Sequence, residues 1–233
     1  KYGSRCADKL NGIFAFAVFN SSDRSIFLCR DKIGVKPLFY YEYKGGLIFG
    51  SEIKALLAST IVKPKIDEQG LNEIFFLGPA RTPSCGVFKG VHELNPGECA
   101  IYKNGILCRE QYYRIEAKEH TDSENDTIEK TRSLLTDAIR RQLVSDVPLC
   151  FFLSGGLDSS IIVKTASEYY KERKLGKINT YSVEYRDNEK FFKKSRFQPN
   201  ADYEYISMMA DNADTRHREV ILDNKALVDA LYD

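Results

Sequence analysis

The segment SGGLDS, residues 154–159, combines two adjacent glycines, one acid and two serines directly after the apolar run CFFL. Glycines let backbone amides approach an anion closely, and a helix beginning after them adds unpaired N–H groups and a positive dipole end. Charge-assisted hydrogen bonds contribute about 1.5–3 kcal/mol each, against about 0.3–1 kcal/mol for the dipole. The segment therefore predicts a phosphate-binding loop held mainly by hydrogen bonds.

The same segment has no lysine, unlike the Walker loop G-x-x-x-x-G-K-[ST], in which a lysine reaches the outer phosphates. Here the acid Asp158 occupies that part of the loop. A carboxylate repels pyrophosphate unless a divalent cation lies between them, so charge balance implies Mg²⁺ at Asp158. The alternative interpretation is a glycine turn followed by a helix-capping aspartate, which needs no ligand.

The loop belongs to a region in which strand-like and helix-like segments alternate. After the apolar strand PLCFFL come the helical segment SSIIVKTASEYYKER, the strand INTYSVEY, the helical segment DYEYISMMADNA and the strand HREVIL. Such alternation predicts a parallel, doubly wound sheet with ligands at the carboxyl ends of its strands. Before the first strand, residues 126–143 predict a core-facing helix that starts with a capping box of Asp126 and Glu129.

The region before residue 118 has a different pattern of predicted secondary structure. Short β-type runs such as IFAFAVFN, SIFLCR and PLFYYEY predict mainly antiparallel strands, and Asn104-Gly105 suits a type I′ hairpin turn. The charged stretch EAKEHTDSEND separates the two regions. The predicted organisation is a first domain at 1–117, a linker at 118–126 and a second domain at 127–233.

Composition excludes several classes of protein. The 34 basic and 33 acidic side chains give a formal net charge of +1, which leaves no electrostatic footprint for nucleic acid or an anionic membrane. No apolar run reaches the eighteen residues that a spanning helix needs, so the expectation is a cytoplasmic protein. The six cysteines have neither C-x-x-C spacing nor a nearby histidine, and they are expected to be reduced thiols, mostly in the core.

LSGGLDSS resembles the pyrophosphate loop of the ATP pyrophosphatase group, whose members cleave ATP between its α and β phosphates. LNGIFAFAVFN, RDKIGVKPLFYY and FGSEIKALL resemble the later part of a class II glutamine amidotransferase domain of the N-terminal-nucleophile type. That order of domains is similar to the glutamine-hydrolysing asparagine synthetase family. The implied fold class is α/β and α+β: a partial amidotransferase domain of antiparallel sheets, then the start of a doubly wound parallel-sheet nucleotide-binding domain.

The chain departs from that family pattern at both ends. The family's glutaminase nucleophile is an amino-terminal cysteine, whereas this chain starts with Lys1 and runs directly into a segment from inside the first domain. It ends before the family's second glycine-rich segment. The expectation is an internal fragment without the glutaminase nucleophile and without activity of its own.

Residue by residue, the resemblance implies a nucleotide site. Leu153 is expected to offer its backbone to adenine, Val183 to pack against the nucleotide, and Asp158 to hold Mg²⁺; the pyrophosphate and its magnesium are expected to lie on Ser154, Gly155, Gly156, Asp158 and Ser159. Arg30, Asp31 and Lys36 match the amidotransferase pattern and are interpreted as fold-holding. His92, His120 and His217 are isolated in the sequence and receive no role.

The implied reaction is ATP-dependent synthesis of asparagine from aspartate and glutamine-derived ammonia through β-aspartyl-AMP, with release of AMP and pyrophosphate. The partners would be the small molecules aspartate, glutamine and ATP, with a homodimer left open. Two alternatives remain at this stage. One is a β-lactam-synthetase-like or other amidotransferase-coupled adenylating ligase, and the other is an inactive nucleotide-binding module.

Overall fold

In the computed structural model, residues 2–78, 80–187, 190, 192–193 and 202–230 are described. The chain divides into two compact units, Lys1–Glu119 (unit 1) and His120–Asp233 (unit 2). Within the described residues, no helix is long and apolar enough to cross a bilayer.

Unit 1 consists of two antiparallel sheets with short helices. A 3₁₀ turn at Gly3–Arg5 precedes the first helix, and a π-helical turn at Glu73–Leu77 follows the third. The elements in chain order are α1 (Cys6–Lys9), β1 (Ala15–Asn20), β2 (Ser25–Arg30), β3 (Phe39–Tyr43), β4 (Gly46–Gly50), α2 (Ile53–Leu57), α3 (Glu68–Asn72), β5 (Val91–Glu93), β6 (Glu98–Lys103) and β7 (Ile106–Gln111).

The strand order is β1-β2-β6-β7 in one sheet and β4-β3-β5 in the other. Lys103 pairs with Ile106 across the β6–β7 hairpin, and the two residues between them, Asn104 and Gly105, have φ of 52° and 79°. A type I′ turn requires positive φ at both central positions, so the Asn-Gly pair explains this tight connection.

The core of unit 1 follows strand alternation. Phe39 and Tyr40 are adjacent in β3, yet they belong to separate buried clusters because successive strand residues point to opposite faces. Tyr40 packs with Leu28 and Leu94, whereas Phe39 packs with Leu56. One strand thus connects the two hydrophobic cores.

A buried polar corner follows β2. The carboxylate of Asp31, which is 1% exposed, accepts backbone N–H groups from Ile33 (3.2 Å), Val35 (3.0 Å) and Lys36 (3.0 Å). Arg30 donates to the carbonyl oxygens of Gly34, Lys36 and Leu94. It also forms an ion pair with Glu93 at 3.0 Å. All of these contacts connect Arg30 and Asp31 to neighbouring segments of unit 1, which agrees with a role in stabilising the fold.

The cysteines are all free thiols. Cys29, Cys85 and Cys99 are buried, whereas Cys108 and Cys150 lie exposed on strands, so the expectation of mostly buried thiols holds for only half of the six. Burial raises the pKa of Cys29 to about 12 and that of Cys99 to about 11. Such thiols carry no thiolate at neutral pH and are poor nucleophiles.

Unit 2 contains the predicted alternation of strands and helices. Its elements are α4 (Glu124–Arg141), β8 (Cys150–Phe152), α5 (Leu157–Glu172), β9 (Asn179–Tyr185), α6 (Tyr203–Asn212), β10 (Arg216–Leu222) and α7 (Asn224–Asp229). The three strands form a parallel sheet in the order β10-β9-β8. The antiparallel sheets of unit 1 and this parallel sheet confirm the predicted fold class.

Helix α4 differs from its prediction in two respects. Its N-cap is Ser123, whose Oγ accepts the N–H of Asp126 at 3.2 Å, so Asp126 lies inside the first turn. The helix begins inside the segment predicted as linker, because the hydroxyl of Ser123, three residues before Asp126, caps the first turn. Its apolar face is only partly buried: Ile128 is 46% exposed and Leu135 is 45% exposed, whereas Ile139 is half-buried and Leu143, just after the helix, packs against the core of unit 2.

The core of unit 2 lies between the sheet and helices α5 and α6. Leu153 at the end of β8 packs there with Val163 and Ala166 of α5 and Ile206 of α6. This packing fixes the ends of two helices beside the carboxyl ends of two strands. The loop after β8 is thereby held in a defined position.

Candidate nucleotide site

The candidate site begins at the loop that joins β8 to α5. Leu153 is buried, and its N–H donates to the carbonyl oxygen of Tyr181 in β9 at 2.8 Å. The sheet therefore uses the N–H of Leu153, which leaves only its carbonyl oxygen as a backbone partner for a base. A carbonyl can accept from an amine such as the one on adenine.

Gly155 makes the loop pass close to the start of α6. Its φ is +77°, and a Cβ at this position would lie 2.9 Å from the carbonyl oxygen of Asp202 and 3.3 Å from Cβ of Tyr205. A side chain would therefore be strained by the backbone conformation and would also clash with the α6 N-cap residue. The first turns of α5 and α6 consequently approach the same loop.

The two loop serines support the loop from within. The hydroxyl of Ser159 donates to the carbonyl oxygen of Gly156 at 3.1 Å and accepts the N–H of Ser154 at 3.3 Å. Ser154 Oγ lies 3.1 Å from Ser159 Oγ, and since the proton of Ser159 is already donated, Ser154 is the donor. These bonds join both ends of the loop to the first turn of α5.

The backbone donors of the loop are left open. Gly156 is the N-cap of α5 and supplies no side-chain cap. Within the described residues, the N–H groups of Gly155, Gly156 and Leu157 have no hydrogen-bond acceptor. Unpaired amides at a helix N-terminus form a natural binding site for an anion.

Asp158 lies exposed in the first turn of α5. The described part of the chain contains no group of three or more His, Cys, Asp or Glu side chains that could hold a metal ion. Mg²⁺ is commonly held by one or two carboxylates together with substrate phosphates and water.

A cavity of about 1240 Å³ opens at the carboxyl ends of the parallel strands. It is bordered by the ends of β8 and β9, by β10 and by the first turn of α6. Leu153, Ser154 and Val183 line it, and Val183 is 44% exposed. Gly155, Gly156, Asp158 and Ser159 lie beside the cavity in the adjoining loop and do not line it.

Among the described residues, the charged side chains that line this cavity are mainly acidic. Its cations, Arg186 and Lys190, are each paired with an acid: Arg186 lies 3.2 Å from Asp223, and Lys190 lies 2.5 Å from Asp187. These described side chains disfavour phosphate unless a cation accompanies it. The acids on the wall are Glu184, Asp187, Asp202, Glu204 and Glu219.

Sequence reasoning gave no role to the residues beneath the cavity wall. Ser182 lines the cavity next to Val183, and its Oγ lies 3.1 Å from Nε2 of His217 on β10. The residues are 35 positions apart, and only the register of β9 and β10 brings them together. The sequence pattern predicts that both strands belong to one parallel sheet, but it does not predict that they are neighbours.

Comparisons with known proteins agree with the two-unit architecture. Residues 1–113 match a protein family described as a glutamine amidotransferase domain, and residues 130–233 match one described as asparagine synthase. The chain is 46% identical over 98% of its length to asparagine synthetase [glutamine-hydrolyzing] 3 of Bacillus subtilis. It is 33% identical over 78% of its length to a putative asparagine synthetase 2 of Methanocaldococcus jannaschii.

The chain spans 37% and 36% of the length of those two relatives. Amidase chry2 of Gibberella zeae is also similar, with 31% identity over 75% of this chain and 26% of that protein. The parallel-sheet unit thus carries the part of the chain that matches asparagine synthase, and the antiparallel unit carries the amidotransferase match. With both of its units matched in this order, the chain belongs to the glutamine-hydrolysing asparagine synthetase family.

Proposed function

We propose that unit 2 binds ATP with Mg²⁺ and that the protein uses it to convert aspartate into asparagine with ammonia taken from glutamine. The observation that carries the proposal is the loop at 154–159, whose amides are unpaired at the start of α5 and which borders a cavity at the strand ends. A binding site of this kind recognises phosphate, and the cavity beside it has room for a nucleoside.

Each predicted site residue has a task in this scheme. The amides of Gly155 and Gly156 donate to the pyrophosphate part of ATP, and Ser154 and Ser159 keep the loop in shape for it. The carbonyl of Leu153 accepts from the base. Val183, half-exposed at the cavity wall, offers apolar contact to the nucleoside.

The reaction balances in two steps. An oxygen of the aspartate side-chain carboxylate attacks the α-phosphorus of ATP, and the bond to the β-phosphate oxygen breaks, which gives β-aspartyl-AMP and pyrophosphate. The nitrogen of ammonia then attacks the acyl carbon, AMP leaves with the electron pair of the acyl C–O bond, and one proton is released. The loop amides favour the first step because they stabilise charge that accumulates on the leaving pyrophosphate.

Asp158 is the residue that fits Mg²⁺, because it is an exposed carboxylate on the loop whose amides receive the phosphates. The ion would neutralise charge on the leaving group. The acidic side chains described on the cavity wall support the same requirement, since Arg186 and Lys190 beside them are already paired with acids.

Unit 1 would belong to the ammonia-supplying part of the protein. Its match to a glutamine amidotransferase domain supports glutamine as the nitrogen donor. The buried corner at Arg30 and Asp31 contributes stability to that unit and takes no part in chemistry.

The proposal is tested by measuring pyrophosphate, AMP and asparagine together in the full-length protein with Mg–ATP, aspartate and either glutamine or ammonium salt. The expected result is equal yields of the three products, with dependence on aspartate and on Mg²⁺. Production of ADP and phosphate, or pyrophosphate release that does not require aspartate, would overturn it.

A carboxylic acid other than aspartate is kept as a second candidate substrate, because the chain is also similar to a protein named as an amidase, chry2 of Gibberella zeae. A panel of other carboxylic acids in the pyrophosphate assay distinguishes the cases. Release stimulated more strongly by another acid than by aspartate would transfer the proposal to an adenylating ligase for that acid.

A further inference from the structure

His217 joins two hydroxyl groups of the neighbouring strand through both ring nitrogens. Its Nδ1 lies 3.0 Å from Thr180 Oγ1, and its Nε2 lies 3.1 Å from Ser182 Oγ. Thr180 is fully buried and Ser182 is 4% exposed. Residues 180 and 182 share one face of β9, so the ring spans two consecutive positions of that face from β10.

A third hydroxyl fixes the direction of the hydrogen bonds. Thr215 Oγ1 lies 2.8 Å from Thr180 Oγ1 and donates to the carbonyl oxygen of Ala210 at 3.4 Å. A hydroxyl has one proton. The arrangement that makes all of these contacts has Thr180 donating to Thr215 and accepting from Nδ1–H of His217. In the neutral ring, Nε2 then carries no proton and accepts the proton of Ser182.

This direction determines what Ser182 can offer at the cavity wall. Because its proton is given to His217, Ser182 Oγ retains only lone pairs and can serve a ligand only as an acceptor. Phosphate oxygens are acceptors too and are disfavoured there. An amine or hydroxyl group of a nucleoside is a donor and fits. The phosphates are left to the open amides of the loop at 154–159.

The geometry points to His217 as a positioning residue that, as the Nδ1–H tautomer, holds Ser182 as a hydrogen-bond acceptor for the nucleoside end of the bound nucleotide. This inference rests on the proposed function for its ligand, but the tautomer is a property of the protein alone. It also gives the nucleotide a direction: nucleoside at Ser182 and Val183, phosphates at the loop.

The tautomer is measured first, by ¹⁵N NMR of the full-length protein labelled at histidine, with the His217→Asn variant used to assign the signal. The expected ring has a protonated Nδ1 and an unprotonated Nε2. Protonation at Nε2, alone or together with Nδ1, would overturn the inference.

Two substitutions of His217 then test the hydrogen bonds of its two ring nitrogens one at a time. In His217→Gln the side-chain amide reaches the Nε2 position and can still accept from Ser182, whereas in His217→Asn it reaches only the Nδ1 position and still donates to Thr180. We expect His217→Asn and Ser182→Ala to raise KM for ATP about two- to tenfold at little-changed kcat, which is the effect of one hydrogen bond. His217→Gln should leave KM within about twofold of the wild type.

His120→Asn is the matched control, since this exposed histidine does not line the cavity and its hydrogen bond is to Thr127 Oγ1, at 2.7 Å. If KM for ATP rises equally in His217→Asn and His217→Gln, or if it changes in step with their melting temperatures, His217 has a structural role and not a positioning one. If His217→Asn does not fold, Ser182→Ala decides: unchanged KM there overturns the inference. Absence of ATP-dependent pyrophosphate release in the wild type would instead overturn the proposed function, and the positioning role with it.

Discussion

Two aspartate loops, one in each unit, use their hydrogen-bonding groups differently: one satisfies its own backbone, and the other leaves backbone amides unpaired. Both follow a strand and contain a glycine with positive φ, Gly34 at 73° and Gly155 at 77°. In unit 1, Asp31 is buried and accepts three backbone N–H groups. In unit 2, Asp158 is exposed, and the nearby amides of Gly155 and Gly156 are unpaired.

The difference lies in where the hydrogen-bonding capacity is used. A buried carboxylate that satisfies three amides of its own loop has little left for a ligand, and removing it leaves buried donors unpaired. Open amides beside an exposed acid contribute little to stability, but they can be satisfied by an anion and its cation. Substitutions in the two loops should therefore give opposite patterns of activity and stability.

The largest expected effect follows Asp158→Asn in the full-length protein. The amide keeps the size of the side chain but removes the charge that would hold Mg²⁺, so pyrophosphate release should fall about 100-fold or more, within the range for losing a key electrostatic group. Stability should barely change, because the side chain is exposed. Parallel assays of pyrophosphate and glutamate release check this: glutamate release should persist.

Retained pyrophosphate release in that variant would remove Asp158 from the site. It would favour the simpler interpretation of the loop as a glycine turn with a helix-capping aspartate, for which asparagine is an equally good cap.

Asp31→Asn is expected to lower stability and to leave pyrophosphate release almost unchanged, which is the reverse of Asp158→Asn. The new amide keeps one oxygen but presents an NH₂ group either to Lys36 or to the pair Ile33 and Val35, so at least one buried N–H loses its acceptor. The loss should lower the free energy of unfolding of unit 1 by about 1–3 kcal/mol. Urea denaturation measures it; Asp23→Asn, which removes only an exposed carboxylate's ion pair with Lys103 and its hydrogen bonds with Ser25, is the control and should cost less.

Pyrophosphate release with ammonium salt should stay close to wild type in Asp31→Asn at a temperature where the variant is folded. A stable Asp31→Asn protein with impaired pyrophosphate release would contradict the assignment of this loop to the fold alone.

Three glycine-to-alanine substitutions should have smaller effects and test the same contrast between the two loops. Gly34, Gly105 and Gly155 all have positive φ, but a Cβ meets Pro96 at 2.7 Å in the first case, nothing within 4 Å in the second, and the Asp202 carbonyl at 2.9 Å in the third. Backbone strain alone should cost about 1 kcal/mol in Gly105→Ala, and the other two should cost more.

Only Gly155→Ala should also raise KM for ATP, because the displaced loop carries the proposed phosphate donors. Thermal unfolding and ATP kinetics on the three variants test this together. An equal KM in all three would mean that the loop geometry is not important for the nucleotide.

The sequence was informative wherever neighbours along the chain decide the structure. The glycines and acid at 154–159, between an apolar strand and a helix, predicted the loop's location because strand, turn and helix signals are local. Asn104-Gly105 predicted its turn for the same reason. The N-cap of α4 was misplaced by three residues, since both Ser123 and Asp126 are good caps and the pattern alone does not choose between them.

Residues brought together by strand register were not predictable in this way. His217 was set aside because nothing near it in the sequence suggested chemistry, yet its partners Thr180 and Ser182 lie across the β9–β10 pairing. The order β10-β9-β8 was likewise not in the sequence pattern, which gives the alternation of strands and helices but not which strand lies in the middle. The site was therefore predicted as a loop, and its supporting side chains appeared only with the sheet.

The smallest expected effect is the acid sensitivity contributed by Asp31. Burial opposes ionisation of its carboxyl group, but the backbone N–H groups of Lys36, Val35, Ile33 and Gly34 together outweigh burial, so its pKa lies below the ordinary value of 3.8. A lowered pKa in the folded state means that the carboxylate's contribution to stability is fully present above the ordinary pKa and is lost as the pH falls through the lowered one. Unit 1 of the wild type should therefore lose stability from about pH 4 downward, and Asp31→Asn should lose less over the same interval. Urea unfolding at several values between about pH 5 and pH 3 measures both slopes. Parallel slopes in the two proteins would show that the carboxylate of Asp31 is not ionised against its amides, and the contrast between the two loops would then rest on burial alone.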